Sequence, residues 1–214
     1  LLKGIDPLKD QSYVLFNLRP HQLQHLLLPV GSYSKVEIRD IARDAGLPVA
    51  DKPDSQEICF IPTNDYRAFL ADRFTPTPGE IVDTDGNVLG DHQGIENFTV
   101  GQRRGLGIYA QEPLFVLALD RKSNRVVVGP AEGLLQNTLW ASGVNYLSGV
   151  PAEHPIEVEA KIRYKASQSR ATLIPHVESA KSCPAGDDWA EIRFQEPQRA
   201  ITPGQAVVFY LGDE

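Results

Sequence analysis

The spacing of apolar residues changes along this chain. From Asp10 to Leu18, Tyr13, Val14, Leu15 and Leu18 fall at helical spacing, and Pro20 opens a second short segment carrying Leu23, Leu26 and Leu27. Ser34 then stands three residues before Glu37, the S-x-x-E pattern in which two side chains serve orphan backbone donors at a helix start. Ile38, Ile41, Ala42 and Ala45 follow at helical spacing, Gly46 sits where a left-handed cap belongs, and Pro48 blocks continuation. Residues 1–48 therefore read as helical, most clearly after Ser34.

A polar loop, Ala50 to Glu57, runs into the apolar stretch Ile58-Cys59-Phe60-Ile61, and Asn64 caps a further predicted helix bearing Tyr66, Phe69 and Leu70. From Pro76 the texture turns to short strands. Glu80–Asp83 and Val88–Leu89 flank Asp85-Gly86, a hairpin signal, and 114–119 with 125–128 predict a second hairpin. Beyond about 136 the pattern is all β. Ile156, Val158, Ala160, Ile162 and Tyr164 alternate with Glu157, Glu159, Lys161, Arg163 and Lys165, as on a strand with one buried and one wet face. Segments 171–174, 190–194 and 206–211 continue the series. The expected class is α+β and mostly β. It divides into a helical tail of an α/β domain (1–60), a small mixed central domain (61–135) and a C-terminal antiparallel β-barrel (136–214).

Composition narrows this picture. The 214 residues hold 42% hydrophobic and 23% charged residues, an ordinary globular balance that argues against disorder. No apolar run reaches the roughly 18–20 residues of a membrane span. Two Cys cannot make a disulfide framework and point to a reducing, cytoplasmic setting. The chain starts Leu1-Leu2-Lys3-Gly4, with no Met and no leader-like segment, and reads as a fragment. The net charge of −7 speaks against indiscriminate nucleic-acid binding, but a local basic face is a matter of distribution.

Few residues carry candidate chemistry. A lone Cys such as Cys59 is ordinarily a small buried hydrophobe, yet it follows a long polar loop that could place it at a cleft mouth. Its neighbours Asp54 and Glu57 would disfavour a thiolate, so activation has to come from elsewhere, such as Lys52 or a substrate. Cys183 lies in a turn and reads as incidental. Neither Cys has partners at metal-ligand spacing, and the five His are scattered, so no metal site is expected. Lys161, Arg163, Lys165 and Arg170 form an acid-free basic stretch. On a strand the first three share a face, either simply solvated or contacting phosphate, with Tyr164 packed inward or stacked on a base. Phe98 to Gly107 combines three glycines with Arg103 and Arg104. It lacks P-loop spacing and reads as a turn or as a phosphate-approaching loop.

Seven collinear segments resemble the tRNA-specific 2-thiouridylase family and together cover nearly the whole chain. They are Lys9-Asp10-Gln11-Ser12-Tyr13, Leu28-Pro29-Val30-Gly31, Lys35-Val36-Glu37-Ile38-Arg39, Ser55-Gln56-Glu57-Ile58-Cys59-Phe60-Ile61, the Phe98–Gly107 stretch, Lys161-Ile162-Arg163-Tyr164, and Glu196 to Ala206. The resemblance implies a three-part enzyme: an ATP-binding pyrophosphatase-loop domain, a central domain and a C-terminal β-barrel that helps hold tRNA. Such enzymes make 2-thiouridine at the wobble position. They use ATP with Mg2+ to activate the C2 oxygen and a Cys persulfide to deliver sulfur.

By that resemblance Cys59 stands in the persulfide-bearing position. Lys9, Asp10, Gln11, Arg163, Tyr164 and Gln205 match tRNA-contacting positions, and Arg103, Arg104, Lys161 and Lys165 are further candidates. The implied partners are the anticodon loop of tRNA and a sulfur donor, such as a cysteine desulfurase or a sulfur relay. The family's ATP loop and first catalytic Cys have no match, so ATP is expected to bind outside this chain, and the chain alone is expected to be inactive. Two other readings are a non-catalytic RNA-binding module with a translation-factor-like barrel, and a thiol-redox protein, which the lack of C-x-x-C disfavours.

Overall fold

The computed structural model describes residues 1–54, 75–176 and 189–214. Cys59, Cys183 and the helix expected after Asn64 lie outside the described residues. The chain divides into two compact units, one built from 1–53, 137–197 and 203–214, the other from 54–136 and 198–202.

In the first unit, helix α2 (Lys35–Asp44) starts as its capping box dictates. The Ser34 backbone N–H donates to Glu37 at 2.7 Å, and Glu37 N–H donates to Ser34 Oγ at 3.3 Å. It ends at Gly46, whose φ is 67°. No residue of α2 is buried, and Ile41 is half exposed. The stretch before it departs from the helical expectation. Residues Ser12–Leu15 make only a 3-10 turn, and α1 is the four-residue Pro20–Leu23. Gln11 supplies no side-chain cap; Ser12 is instead drawn to Tyr210 in the last strand and Tyr13 to the Ala206 carbonyl just before it.

Strands β5 (Leu135–Ser142), β6 (Ile156–Lys161), β7 (Ser169–His176), β8 (Trp189–Arg199) and β9 (Val208–Tyr210) form one sheet in the order β5-β8-β7-β6-β9. The pairs β6–β7, β6–β9 and β7–β8 are antiparallel. Alternation places Val158, Ala160, Ala171, Leu173, Ala190, Ile192, Phe194 and Tyr210 in the core. Among the described residues beyond 140 there is no helix.

The second unit holds β1 (Gly79–Val82), β2 (Val88–His92), β3 (Phe115–Asp120) and β4 (Arg125–Gly129), in the order β2-β1-β4-β3. Both predicted hairpins are present. Asp83 accepts backbone bonds from Asp85 and Asn87, and Gly86 takes φ 87° in the first turn. The hairpins join through a parallel β1–β4 pairing, which buries Ile81, Val126 and Val128 with Val116 and Leu106 in one cluster. The fold is α+β and mostly β. Among the described residues no helix is long and apolar enough to cross a membrane.

Candidate nucleic-acid interface

Three segments far apart in sequence meet in the first unit. Gln11 donates from Nε2 to the Tyr164 hydroxyl at 3.0 Å. The Tyr13 and Tyr164 rings lie 6.1 Å apart at 56°, and the Lys161 ammonium sits 5.8 Å from the first centroid and 5.7 Å from the second. At those distances a cation is attracted by the ring faces. The Tyr13 hydroxyl donates to the Ala206 carbonyl at 2.8 Å, which fixes the residue next to the exposed Gln205. Lys9–Gln11, Lys161–Tyr164 and Gln205 are thus tied together by side chains that read in the sequence as separate features.

One expectation is corrected. Lys161, Arg163 and Lys165 do not share a strand face. Strand β6 ends at Lys161, because its pairing with β7 runs out at Ala160–Ser169 and with β9 at Lys161–Val208. The chain then turns, closed by the Ala166 N–H to Arg163 carbonyl bond of 3.0 Å. Ile162 remains buried, but Arg163, Tyr164 and Lys165 belong to the turn, where Tyr164 is 38% exposed. An aromatic at that exposure offers a ring face to a planar ligand.

Beneath this surface lies a polar network that the sequence pattern does not disclose. Asp10 Oδ1 accepts from the Gly4 and Ser12 N–H groups at 3.0 and 3.1 Å, and Oδ2 accepts from Ser12 Oγ at 2.6 Å. Ser12 Oγ lies 3.0 Å from the buried Tyr210 hydroxyl. Desolvation alone would raise the Asp10 carboxyl, but the bonds from Ser12 and Gly4 and the charge of Lys161 outweigh it and hold it below its ordinary value. Desolvation raises the Tyr210 phenol. It raises Tyr13 as well, against the opposing charge of Arg163. Lys3 completes the network, with its ammonium 4.7 Å from the Tyr210 ring centroid and donating to Gln168 and to the Gly212 carbonyl. Tyr13 is the available signal: it stands inside the Lys9–Tyr13 motif, but helical spacing assigns it to an apolar face.

Arg103 and Arg104 belong to the second unit and are exposed. Their loop is docked on β3 by the Gly101 N–H to Val116 carbonyl bond of 2.8 Å and the Val116 N–H to Gln102 carbonyl bond of 2.9 Å. The Gln102 side chain splints it, accepting from Thr99 N–H and donating to the Arg104 carbonyl, both at 3.0 Å. The Gly101 and Gln102 N–H groups are committed to carbonyls, so they do not form the anion-cradling nest that ATP phosphates need. The Gly101–Gln102 turn therefore does not fit a phosphate cradle.

Three family models tile the chain: "tRNA methyl transferase HUP domain" at 1–63, "tRNA methyl transferase PRC-barrel domain" at 67–130 and "Aminomethyltransferase beta-barrel domain" at 136–214. Two of the three models carry the names of tRNA-modifying enzymes. The chain is 49% identical over 215 residues to the tRNA-specific 2-thiouridylase MnmA 1 of Caldanaerobacter subterraneus subsp. tengcongensis, covering 100% of this chain and 57% of the relative. It is 49% identical to the MnmA enzyme of Heliobacterium modesticaldum, covering 99% and 54%, and 44% identical to that of Halothermothrix orenii, covering 99% and 57%. The chain belongs to the tRNA-specific 2-thiouridylase family, and it spans a little over half the length of these relatives.

Proposed function

We propose that this chain holds tRNA for thiolation of the wobble uridine at C2, as part of a cytoplasmic tRNA-uridine 2-sulfurtransferase. The observation that carries the reading is the meeting of Gln11 with Tyr164 beside Lys161, which joins two motif segments at one exposed surface. Lys9, Gln11, Arg163, Tyr164 and Gln205 contact the RNA, with Lys161, Lys165, Arg103 and Arg104 supplying further phosphate contacts. The family-model descriptions speak of methyl transfer and the relatives' names of thiolation. Thiolation is the better reading because each of those relatives matches 99–100% of the chain at 44–49% identity, whereas each family model covers only a part of it.

The chemistry fits these groups. The uracil C2 oxygen is a poor leaving group, and ATP supplies its activation. Cys59 then carries the transferable sulfur as a persulfide, loaded by a desulfurase or relay protein; the soft outer sulfur attacks C2 as AMP leaves, and the family's other catalytic thiol breaks the S–S bond by forming a disulfide with Cys59. The wobble base has to leave its stack to reach such a centre, which a surface offering ring faces and cations favours. ATP is expected to bind outside this chain, so the chain alone should bind tRNA without thiolating it.

The test is Cys59→Ser in the full-length enzyme. Thiolation should disappear while ATP-dependent adenylation of tRNA and tRNA affinity persist. A variant that still makes 2-thiouridine returns Cys59 to a packing role and leaves the RNA-binding module as the better reading.

A further inference from the structure

We infer that Asp10 is a positioning residue for the RNA-binding surface and makes no contact with RNA itself. The inference rests on the proposed tRNA-holding role of the surrounding segment. It departs from the simple reading in which Lys9, Asp10 and Gln11 all touch the ligand.

A carboxylate beside a polyanion is repelled unless it is screened or turned to other partners. Asp10 has both remedies. Its two oxygens accept three hydrogen bonds from its own chain, two from backbone N–H groups and one from Ser12 Oγ. Lys161 lies close enough for its charge to act on the carboxyl. Charge-assisted bonds of this kind are about twice as strong as neutral ones, so releasing them for a ligand would be costly.

Those bonds hold the backbone on both sides of Gln11. The Gly4 bond closes the turn that leads into the segment, and the Ser12 bonds fix the start of the 3-10 turn. Ser12 Oγ passes the constraint to Tyr210 in β9. Gln11 lies between the two anchored residues and Tyr13 directly after them. With Asp10 and Ser12 fixed, Gln11 Nε2 is placed against the Tyr164 hydroxyl and Tyr13 against the Ala206 carbonyl. Asp10 thus acts on the ligand surface through Gln11, Tyr13 and Tyr164.

A conservative variant separates this role from a direct contact. In Asp10→Asn, the amide oxygen can still accept from the Gly4 and Ser12 N–H groups, and the amide nitrogen can donate to Ser12 Oγ. In Asp10→Ala, both backbone donors are deprived of their acceptor. The experiment measures unmodified-tRNA affinity by filter binding for both variants, alone and combined with Tyr164→Ala. It also records the Tyr164 ring resonances by NMR without RNA. We expect Asp10→Ala to weaken binding about three- to tenfold, the scale of one hydrogen bond, and Asp10→Asn to bind within about twofold of wild type. In the Tyr164→Ala background Asp10→Ala should add little, since the effect is transmitted through that residue. Tyr164 signals should move in Asp10→Ala and stay in Asp10→Asn.

Equal weakening by the Asn and Ala variants, or full additivity with Tyr164→Ala, would overturn the inference in favour of a direct contact. The ring resonances keep the two proposals apart. If the wild-type protein binds no tRNA, the proposed function fails while the positioning role is still judged by whether Tyr164 moves in Asp10→Ala. An unmoved Tyr164 ring refutes the positioning role whatever the RNA result.

Discussion

Gln11 and Tyr164 are separated by 153 positions in sequence and joined by one hydrogen bond of 3.0 Å from the amide nitrogen to the phenol oxygen. This bond turns two short motifs into a single surface. It also leaves the Tyr164 ring with two separable properties, a hydroxyl that fixes its position and a face that can stack.

Those properties predict a graded response. Tyr164→Phe keeps the ring beside Lys161 and Tyr13 but removes the Gln11 bond, and should weaken tRNA binding by about 0.5–1.5 kcal/mol. Tyr164→Ala removes the stacking face too and should cost a further ~1–3 kcal/mol. Filter binding at one salt concentration measures both. Equal affinities for the Phe and Ala variants would show that the ring face is unused.

The two arginines of the second unit should report through salt dependence. Arg103→Ala and Arg104→Ala should each reduce the slope of log affinity against log salt by about one for every phosphate no longer neutralised. Gln102→Ala leaves both charges in place but removes the splint across Thr99–Arg104, so it should weaken binding with the slope little changed. An unchanged slope in the double arginine variant would remove this loop from the interface.

What the sequence revealed and what it concealed divide along the range of the interactions. The Ser34–Glu37 box and the Asp85-Gly86 turn are local, decided within four residues, and both form as read. The alternation from Ile156 correctly sorts Val158, Ala160 and Ile162 inward. It does not reveal that β6 stops at Lys161, because that end is set by where β7 and β9 cease to pair. The parallel β1–β4 pairing is hidden for the same reason: each hairpin is visible alone, and the edge that joins them is not. Tyr13 is the clearest failure of spacing. Its apolar body fits a helical stripe, while its hydroxyl is committed to a carbonyl 193 positions away.

A close backbone approach makes Gly79 sensitive. A Cβ there would overlap the Asn124 carbonyl oxygen and lie 2.8 Å from His92 Nε2. Asn124 cannot withdraw easily, since its amide donates to the Thr77 and Pro78 carbonyls at 3.2 and 2.8 Å. Gly79→Ala should therefore destabilise the second unit by about 1–3 kcal/mol, the usual cost of overpacking. Urea denaturation followed by hydrogen exchange at Val126 and Val128 measures it. An unchanged midpoint would mean that the β3–β4 turn is softer than its hydrogen bonds indicate.

The Asp10–Ser12–Tyr210 network should bound the stability of the first unit at both ends of the pH scale. The Asp10 carboxyl is held below its ordinary value of 3.8, so the folded state binds that proton less readily than the unfolded chain. Its contribution is full above the unfolded value and is lost as pH falls through the lower folded one. Tyr210 behaves in the opposite sense. Burial raises its phenol above the ordinary 10.0, so its contribution is complete below that value and is lost as pH rises beyond it. Thermal melts across pH should show a plateau between these limits. Asp10→Asn should flatten the acid limb, and Tyr210→Phe the alkaline limb, each leaving the other in place. A Tyr210→Phe protein with an unaltered alkaline limb would assign that limb to other groups and leave Tyr210 a packing residue only.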